Sequence, residues 1–148
     1  MIVSLHVATG GAVGAASRSR LAALVLGPLA HALGDRMRHH DIGSRRFELV
    51  SGLAGITLLA AARGPLDPAT LGAVAAAFPD VEHAVRLPQP GGRKLFPSHR
   101  FHRWHRSGGV PAVAQLFAAG LILGALAGRG SSRAQSGGDP RRARRPSL

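Results

Sequence analysis

Apolar positions in this chain fall into five blocks separated by polar or turn-forming stretches, and none alternates with the period of two expected of a half-buried strand. Residues 7–16 are small and apolar, the composition of a helix that packs closely on its neighbours. The run "LAALVLGPLAHAL", Leu21 to Leu33, reads as a continuing helix in which Pro28 predicts a kink. "LVSGLAGITLLAAA", Leu49 to Ala62, is closed by the turn-rich "RGPLDP", after which "ATLGAVAAAF" reads as a further short helix. Those two runs fall short of the about 20 apolar residues that cross a bilayer, whereas "VPAVAQLFAAGLILGALAG", Val110 to Gly128, comes close. The pattern predicts an all-α protein: a small helical membrane-associated bundle over residues 1–128, with the last apolar run transmembrane or deeply embedded.

The remaining segment, "RGSSRAQSGGDPRRARRPSL", has no apolar periodicity and is expected to be a disordered basic tail over 129–148. At 148 residues the chain has room for one folded domain with one core. Nineteen basic residues against seven acidic ones give a net charge of +12, and Lys94 is the only lysine. Such arginine bias fits a GC-rich bacterial genome, and a basic tail can touch anionic lipid head groups or nucleic acid. The N-terminus lacks a basic leader region and carries a histidine in its first apolar stretch, so it is expected to be retained. Arginines flank the long apolar run on both sides, with a small preference for a cytoplasmic C-terminus at a bacterial inner membrane. There is no cysteine, which excludes disulfides, thiolate zinc sites, iron–sulfur clusters and cysteine nucleophiles and leaves nitrogen and oxygen as the available metal ligands.

Against this background the segment "HALGDRMRHHD", residues 31–41, concentrates three histidines and two aspartates in eleven residues. On a continuous helix His31, Asp35 and His39 advance by only about 40° per step and project from one face. Asp41 follows where Asp41-Ile42-Gly43 is expected to end the helix. A solvated helix end, with histidines near the negative end of the dipole, explains the same residues without a metal. In "FPDVEH", residues 78–83, Asp80 and His83 can share one side of a helical turn, with Glu82 as a base or an orienting group; a helix cap at Asp80 is the plain alternative. In "HRFHRWHR", His99, His102 and His105 are spaced three apart and interleaved with Arg100, Arg103 and Arg106, a pattern that also suits nucleic-acid binding. His6 stands apart near the N-terminus. Imidazole and carboxylate together are the ligand set of zinc hydrolases and of manganese or iron sites.

The order of these motifs, an early histidine, then His-x-x-x-Asp-x-x-x-His-x-Asp, then Pro-Asp-x-x-His, then His-Arg before a membrane-grade helix, resembles the membrane-bound metal-dependent hydrolase family, the YdjM-like proteins. The resemblance runs from about His6 to Gly128. It matches at His31, Asp35, His39 and Asp41, with Ala30 and Arg38 in place of the usual serine and proline, and at Pro79, Asp80 and His83, with Glu82 where aspartate is common. His99 and Arg100 fit the third motif, whose second histidine is either His102 or His105. The His-x-x-x-Asp element is also similar in arrangement to the all-helical zinc phospholipase C and nuclease fold.

The resulting expectation is a membrane-bound hydrolase in which a divalent metal, zinc first and manganese or iron as alternatives, activates water against a small-molecule, lipid or phosphoester substrate. Its ligands are drawn from His6, His31, Asp35, His39, Asp41, Asp80, His83, His99, His102 and His105. Glu82 is the expected general base, and Arg100 or Arg103 the group that neutralises developing charge. Two other readings compete. One is a non-catalytic membrane protein whose ion holds the helices together. The other, ranked last because it leaves Asp35, Asp41 and Asp80 without a role, is a basic nucleic-acid-binding module.

Overall fold

Gly10 and Gly14 stand one turn apart on α1 (Val3–Ser17), facing Gly72 on α4 (Pro68–Ala77). A Cβ on Gly10 would run into Gly72 O and Ala76 Cβ, and one on Gly14 into Pro68 O. The two backbones therefore touch, as in the small-residue seams of membrane helices. Around this pair α2 (Arg20–Arg36), α3 (Arg45–Arg63) and α7 (Ala112–Gly137) each pack against α1, which becomes the central helix. The computed structural model describes residues 1–84, 90–92, 94–100 and 108–137. Among them the architecture is all-α, the only extended pairing being a single bridge between His39 and Val110.

Local signals set the helix ends. Ser19 and Ser44 cap α2 and α3 by accepting from Ala22 N and Phe47 N, each at 3.3 Å. Asp67 caps α4 ahead of Pro68, accepting from Ala69 N at 2.8 Å. Gly64, at φ 96, stops α3. Arg63 then ties three helices by binding Asp67 Oδ1 at 3.0 Å and Leu126 O at 3.1 Å. α2 runs through Pro28 without a break. α7 continues to Gly137, while residues 138–148 of the expected tail lie outside the described residues.

Small apolar side chains make up much of the core, and many large ones point outward. The core is built around Val7, Ala8, Ala73 and Ala119 with Leu59, Leu123 and Leu126, and among it lie wholly buried His6, His31, Asp35 and Gln115. Leu21, Leu24, Leu29 and Leu33 of α2, Val50 and Leu53 of α3, and Val113, Phe117 and Leu121 of α7 point outward. One helical stretch among the described residues, Ala112–Gly130, is long and apolar enough by length and composition to cross a membrane, with a mean hydropathy of 1.6. Only 22% of its apolar window is buried within the protein.

The antiparallel run of α1 against α2 and α4 brings the start of α1 beside the ends of the other two. Beyond α4 the chain continues through a 3₁₀ turn (Phe78–Asp80) into α5 (Val81–Ala84), and α6 (Pro97–Arg100) packs on α2. Most of the chain's described histidines and carboxylates meet there.

Candidate metal centre

His31 projects from the last turns of α2, and its Nδ1 donates to Ala76 O at 2.8 Å. Ala76 lies in the final turn of α4, where helix carbonyls have no partner of their own. A carbonyl only accepts, so the ring proton sits on Nδ1 and the Nε2 lone pair faces inward. His99, on α6, is held in the same sense: its Nδ1 donates to Glu82 Oε1 at 2.6 Å. The two Nε2 atoms are 3.3 Å apart. Asp35 Oδ2 is 3.0 Å from His31 Nε2 and 3.6 Å from His99 Nε2, and Asp80 Oδ1 is 3.7 Å from His99 Nε2.

Two imidazole nitrogens and the Asp35 carboxylate thus converge with Asp80 beside them, an arrangement that a cation in the middle would stabilise. The spacing fits one. Donors about 2.1 Å from a tetrahedral ion lie about 3.4 Å from one another, and the edges among His31 Nε2, Asp35 Oδ2 and His99 Nε2 are 3.0, 3.3 and 3.6 Å. His6, His31 and Asp80, and likewise Asp80, His83 and His99, also bring ligand atoms within 4.8 Å of one another. Asp80 Oδ2 and His6 Nδ1 are buried without a hydrogen-bond partner.

Burial sets the protonation of the surrounding groups. It pushes the Asp80 carboxyl up to about 7. It pushes His83 down to about 4, helped by the nearby charges of His99 and Lys94. His99 is likewise lowered by burial, against the upward pull of its bond to Glu82. For Glu82 burial acts upward, but the hydrogen bonds from Leu95 N and His99 outweigh it and the net shift is downward. Burial therefore favours the neutral form of His83 and His99, the form that binds a metal.

The residues picked out in the sequence take several positions. His6 stacks on His31 with ring centroids 3.8 Å apart and sets its Nε2 3.1 Å from Asp35 Oδ1. His31, Asp35 and His99 surround one point, while Asp80 joins His6 and His31 in a second grouping and His83 and His99 in a third, with Lys94 Nζ 3.2 Å from His83 Nδ1. His39 does not continue the His31–Asp35 face, contrary to the helical spacing. α2 stops at Arg36, Met37 is extended at φ −74 and ψ 140, and residues 38–40 pair with Val110 through His40 N to Val110 O and Val110 N to Arg38 O, both 3.0 Å. His39 then reaches back from the extended segment with Asp41 beside it, their Nε2 and Oδ1 atoms 3.1 Å apart.

Glu82 does not stand as a free base: it is buried, and Oε1 accepts from His99 while Oε2 accepts from Leu95 N at 2.9 Å. Arg100 is exposed at the end of α6. Arg103, His102 and His105 lie outside the described residues.

A cavity of about 340 Å³ opens beside the cluster, with Asp35, Asp80 and His99 on its wall next to Arg45, Glu48 and Leu49. Sequence reasoning missed Arg45 and Glu48, which sit in the polar start of α3 with no motif around them. It also missed Gln115, the one polar side chain in the apolar run from Val110 to Gly128. Gln115 accepts from Ile2 N at 3.2 Å and donates to His40 O at 2.9 Å, fastening α7 to the start of α1 and to the His39 segment. Compared with known proteins, the chain matches no family model, no curated protein and no solved structure.

Proposed function

We propose that this chain is a membrane-embedded, metal-dependent hydrolase of the YdjM-like kind, with His31, Asp35 and His99 as the ligands of a divalent ion, zinc first and manganese or iron as alternatives. The observation that carries the reading is the triangle of donor atoms at tetrahedral-edge spacing, with both imidazoles anchored through their outer nitrogens. His31, Asp35 and His99 would hold the ion through three protein groups, the ligand number of catalytic rather than structural sites. An ion held there supplies Lewis acidity and lowers the pKa of a bound water towards neutrality.

The chain's own groups divide the remaining work. Asp80, a carboxylate on the cavity lining, is placed to receive the proton from water. Glu82 holds the ring of His99 and raises its basicity. Arg45, on the lining of the cavity, is placed to offset negative charge on an ester or phosphoester. The cavity also touches Leu49, part of the outward apolar surface of α3, which supports a substrate with a lipid tail.

Membrane embedding is supported by the outward leucines and by the apolar stretch Ala112–Gly130, and an inner-membrane location with a cytoplasmic C-terminus goes with it. The competing reading, an ion that only fastens α2 to α6, draws on the complete burial of His31 and Asp35. Detergent-purified, metal-loaded protein should hydrolyse members of a panel of phosphodiesters, phosphomonoesters and carboxylic esters, and His31→Ala should lose both metal and activity. Full metal occupancy with no hydrolysis across the panel would sink the catalytic reading. Unchanged metal content in His31→Ala would sink the site.

A further inference from the structure

At the end of the bundle opposite the metal centre, where α1 and α3 finish and α2 and α4 begin, lies a second cavity of about 190 Å³. Its walls are Ala15, Arg18, Arg63, Asp67 and Pro68, so its lining carries two guanidiniums and one carboxylate. Asp67 accepts from Arg63 Nε at 3.0 Å and from Nη2 at 3.5 Å, and Arg63 Nη1 donates to Leu126 O at 3.1 Å. Three of the five Arg63 N–H groups are thus occupied and two are left. The Arg18 guanidinium has no partner among the described residues.

Arg18 also holds its place against its own backbone. At φ 54 and ψ 8 it is the only non-glycine residue with positive φ among the described residues, in the left-handed conformation that glycine adopts freely. A glycine there would end α1 without strain and leave the cavity without its unpaired cation. Arg20 and Arg129 stand exposed at the same end, Arg129 beside the Gly130 that packs on Ala62 O. Asp35, Asp41, Glu48, Asp80 and Glu82 are all gathered at the metal end. Leu126 lies four residues, about 6 Å along the axis, from Gly130, where the apolar stretch of α7 ends. In a bilayer spanned by that stretch, the cavity stands at the level of the lipid head groups.

We infer that this cavity binds the phosphate of an anionic lipid head group, between the Arg18 guanidinium and the two remaining N–H groups of Arg63. The single net positive charge of the lining matches one phosphodiester, and guanidinium forks are suited to phosphate oxygens. A choline head group would bring a cation of its own beside Arg20 and Arg129, so the charge around the cavity favours a head group that is net negative. The inference rests on the membrane placement of the bundle and is independent of the metal centre.

The test follows thermal unfolding of the full chain in uncharged detergent with added phosphatidylglycerol, phosphatidylcholine or inorganic phosphate. Phosphatidylglycerol at saturation should raise the unfolding temperature by about 5 °C or more, and the other two far less. Arg18→Gly should unfold at or above the wild-type temperature in detergent alone, because the backbone strain is relieved, yet lose most of the rise with phosphatidylglycerol. Arg18→Asn, whose side chain also tolerates the left-handed conformation, should lose it too. Kept stability with a lost lipid response is a result that a merely structural arginine does not give. An equal rise in wild type and both variants overturns the site, as does no rise in the wild type. An equal rise with phosphatidylcholine overturns the choice of an anionic head group, and an equal rise with inorganic phosphate overturns the lipid as its source. Release of the chain from cell membranes by alkaline carbonate is a separate readout and would overturn the membrane placement itself.

Discussion

At Gly14 nothing but backbone separates α1 from α4, whereas about 12 Å along the same helix His6 packs into a cluster of imidazoles and carboxylates. The first region is held by shape alone. Its contacts are between glycine Cα and carbonyl oxygen, they carry no charge, and they tolerate no added volume because backbone on both sides has nowhere to move. The second is held by charge and has room to spare, with a cavity of about 340 Å³ at its side. One pair of helices thus carries a rigid seam that sets the register and a polar end whose balance depends on what it binds. The seam should be indifferent to pH and metal, and the polar end should respond to both.

Adding volume to the seam should have the largest effect. Gly10→Leu would drive a side chain into Gly72 O and Ala76 Cβ, so its cost is expected to reach or pass the roughly 3 kcal/mol upper end of ordinary overpacking. Thermal unfolding in detergent is the measurement, with Leu29→Ala on the outward face of α2 as the control, expected within about 0.5 kcal/mol of wild type. Equal losses from the two changes would mean that the seam is not the register of the bundle.

Asp80→Asn tests the polar end by removing charge and keeping shape. The Asp80 carboxyl is pushed up to about 7 by burial, so between the ordinary carboxylate value, about 3.9, and 7 the native metal-free chain holds a proton that the unfolded chain has lost. Native stability therefore falls as pH rises through that window. The metal-free variant should be more stable than the metal-free wild type at pH 8, by about 1–3 kcal/mol, with a smaller gain at pH 5. Loading an ion reverses the order, since a nearby cation favours the ionised carboxylate. At pH 6 the wild type should release close to one proton from this group on binding metal, and at pH 8 almost none. Binding heats in buffers of different ionisation enthalpy count that proton, and an unchanged count in Asp80→Asn would remove Asp80 from the centre.

The contrast between the two regions also explains what the sequence made legible. Helices were readable because each apolar run is long and bounded by capping serines, Asp67 or Gly64, all local signals. The pairing of His31 with Asp35 was readable for the same reason, as an i, i+4 step inside one helix. His39 broke the rule because the end of α2 is decided by Val110, about seventy residues away in sequence, which pairs with Arg38 and His40 and draws the chain out of the helix. The acceptor that orients His31 is a backbone carbonyl, Ala76 O, and no residue type announces that. Glu82 looked like a free carboxylate because its partners, Leu95 N and His99, come from a separate segment that folds back over it.

That fold-back predicts the smallest effect and the most specific one. Glu82 accepts twice, from His99 Nδ1 at 2.6 Å and from Leu95 N at 2.9 Å. Glu82→Gln can keep only one of these bonds, because its amide nitrogen would meet a second donor wherever its oxygen is placed. If the oxygen stays with His99, the ring remains oriented but loses the carboxylate that makes it basic; if it turns to Leu95, His99 loses its anchor. Either way metal affinity should fall by about 10–100-fold, the usual cost of removing a group that orients a ligating histidine. The unfolding temperature of the metal-free chain should move far less than in Gly10→Leu, since one hydrogen bond and no packing volume is lost. Competition against a chelating dye measures the affinity. A variant with wild-type affinity but a lowered unfolding temperature would show that Glu82 braces the Leu95 backbone and contributes nothing to the metal, and His99 would then need a different anchor.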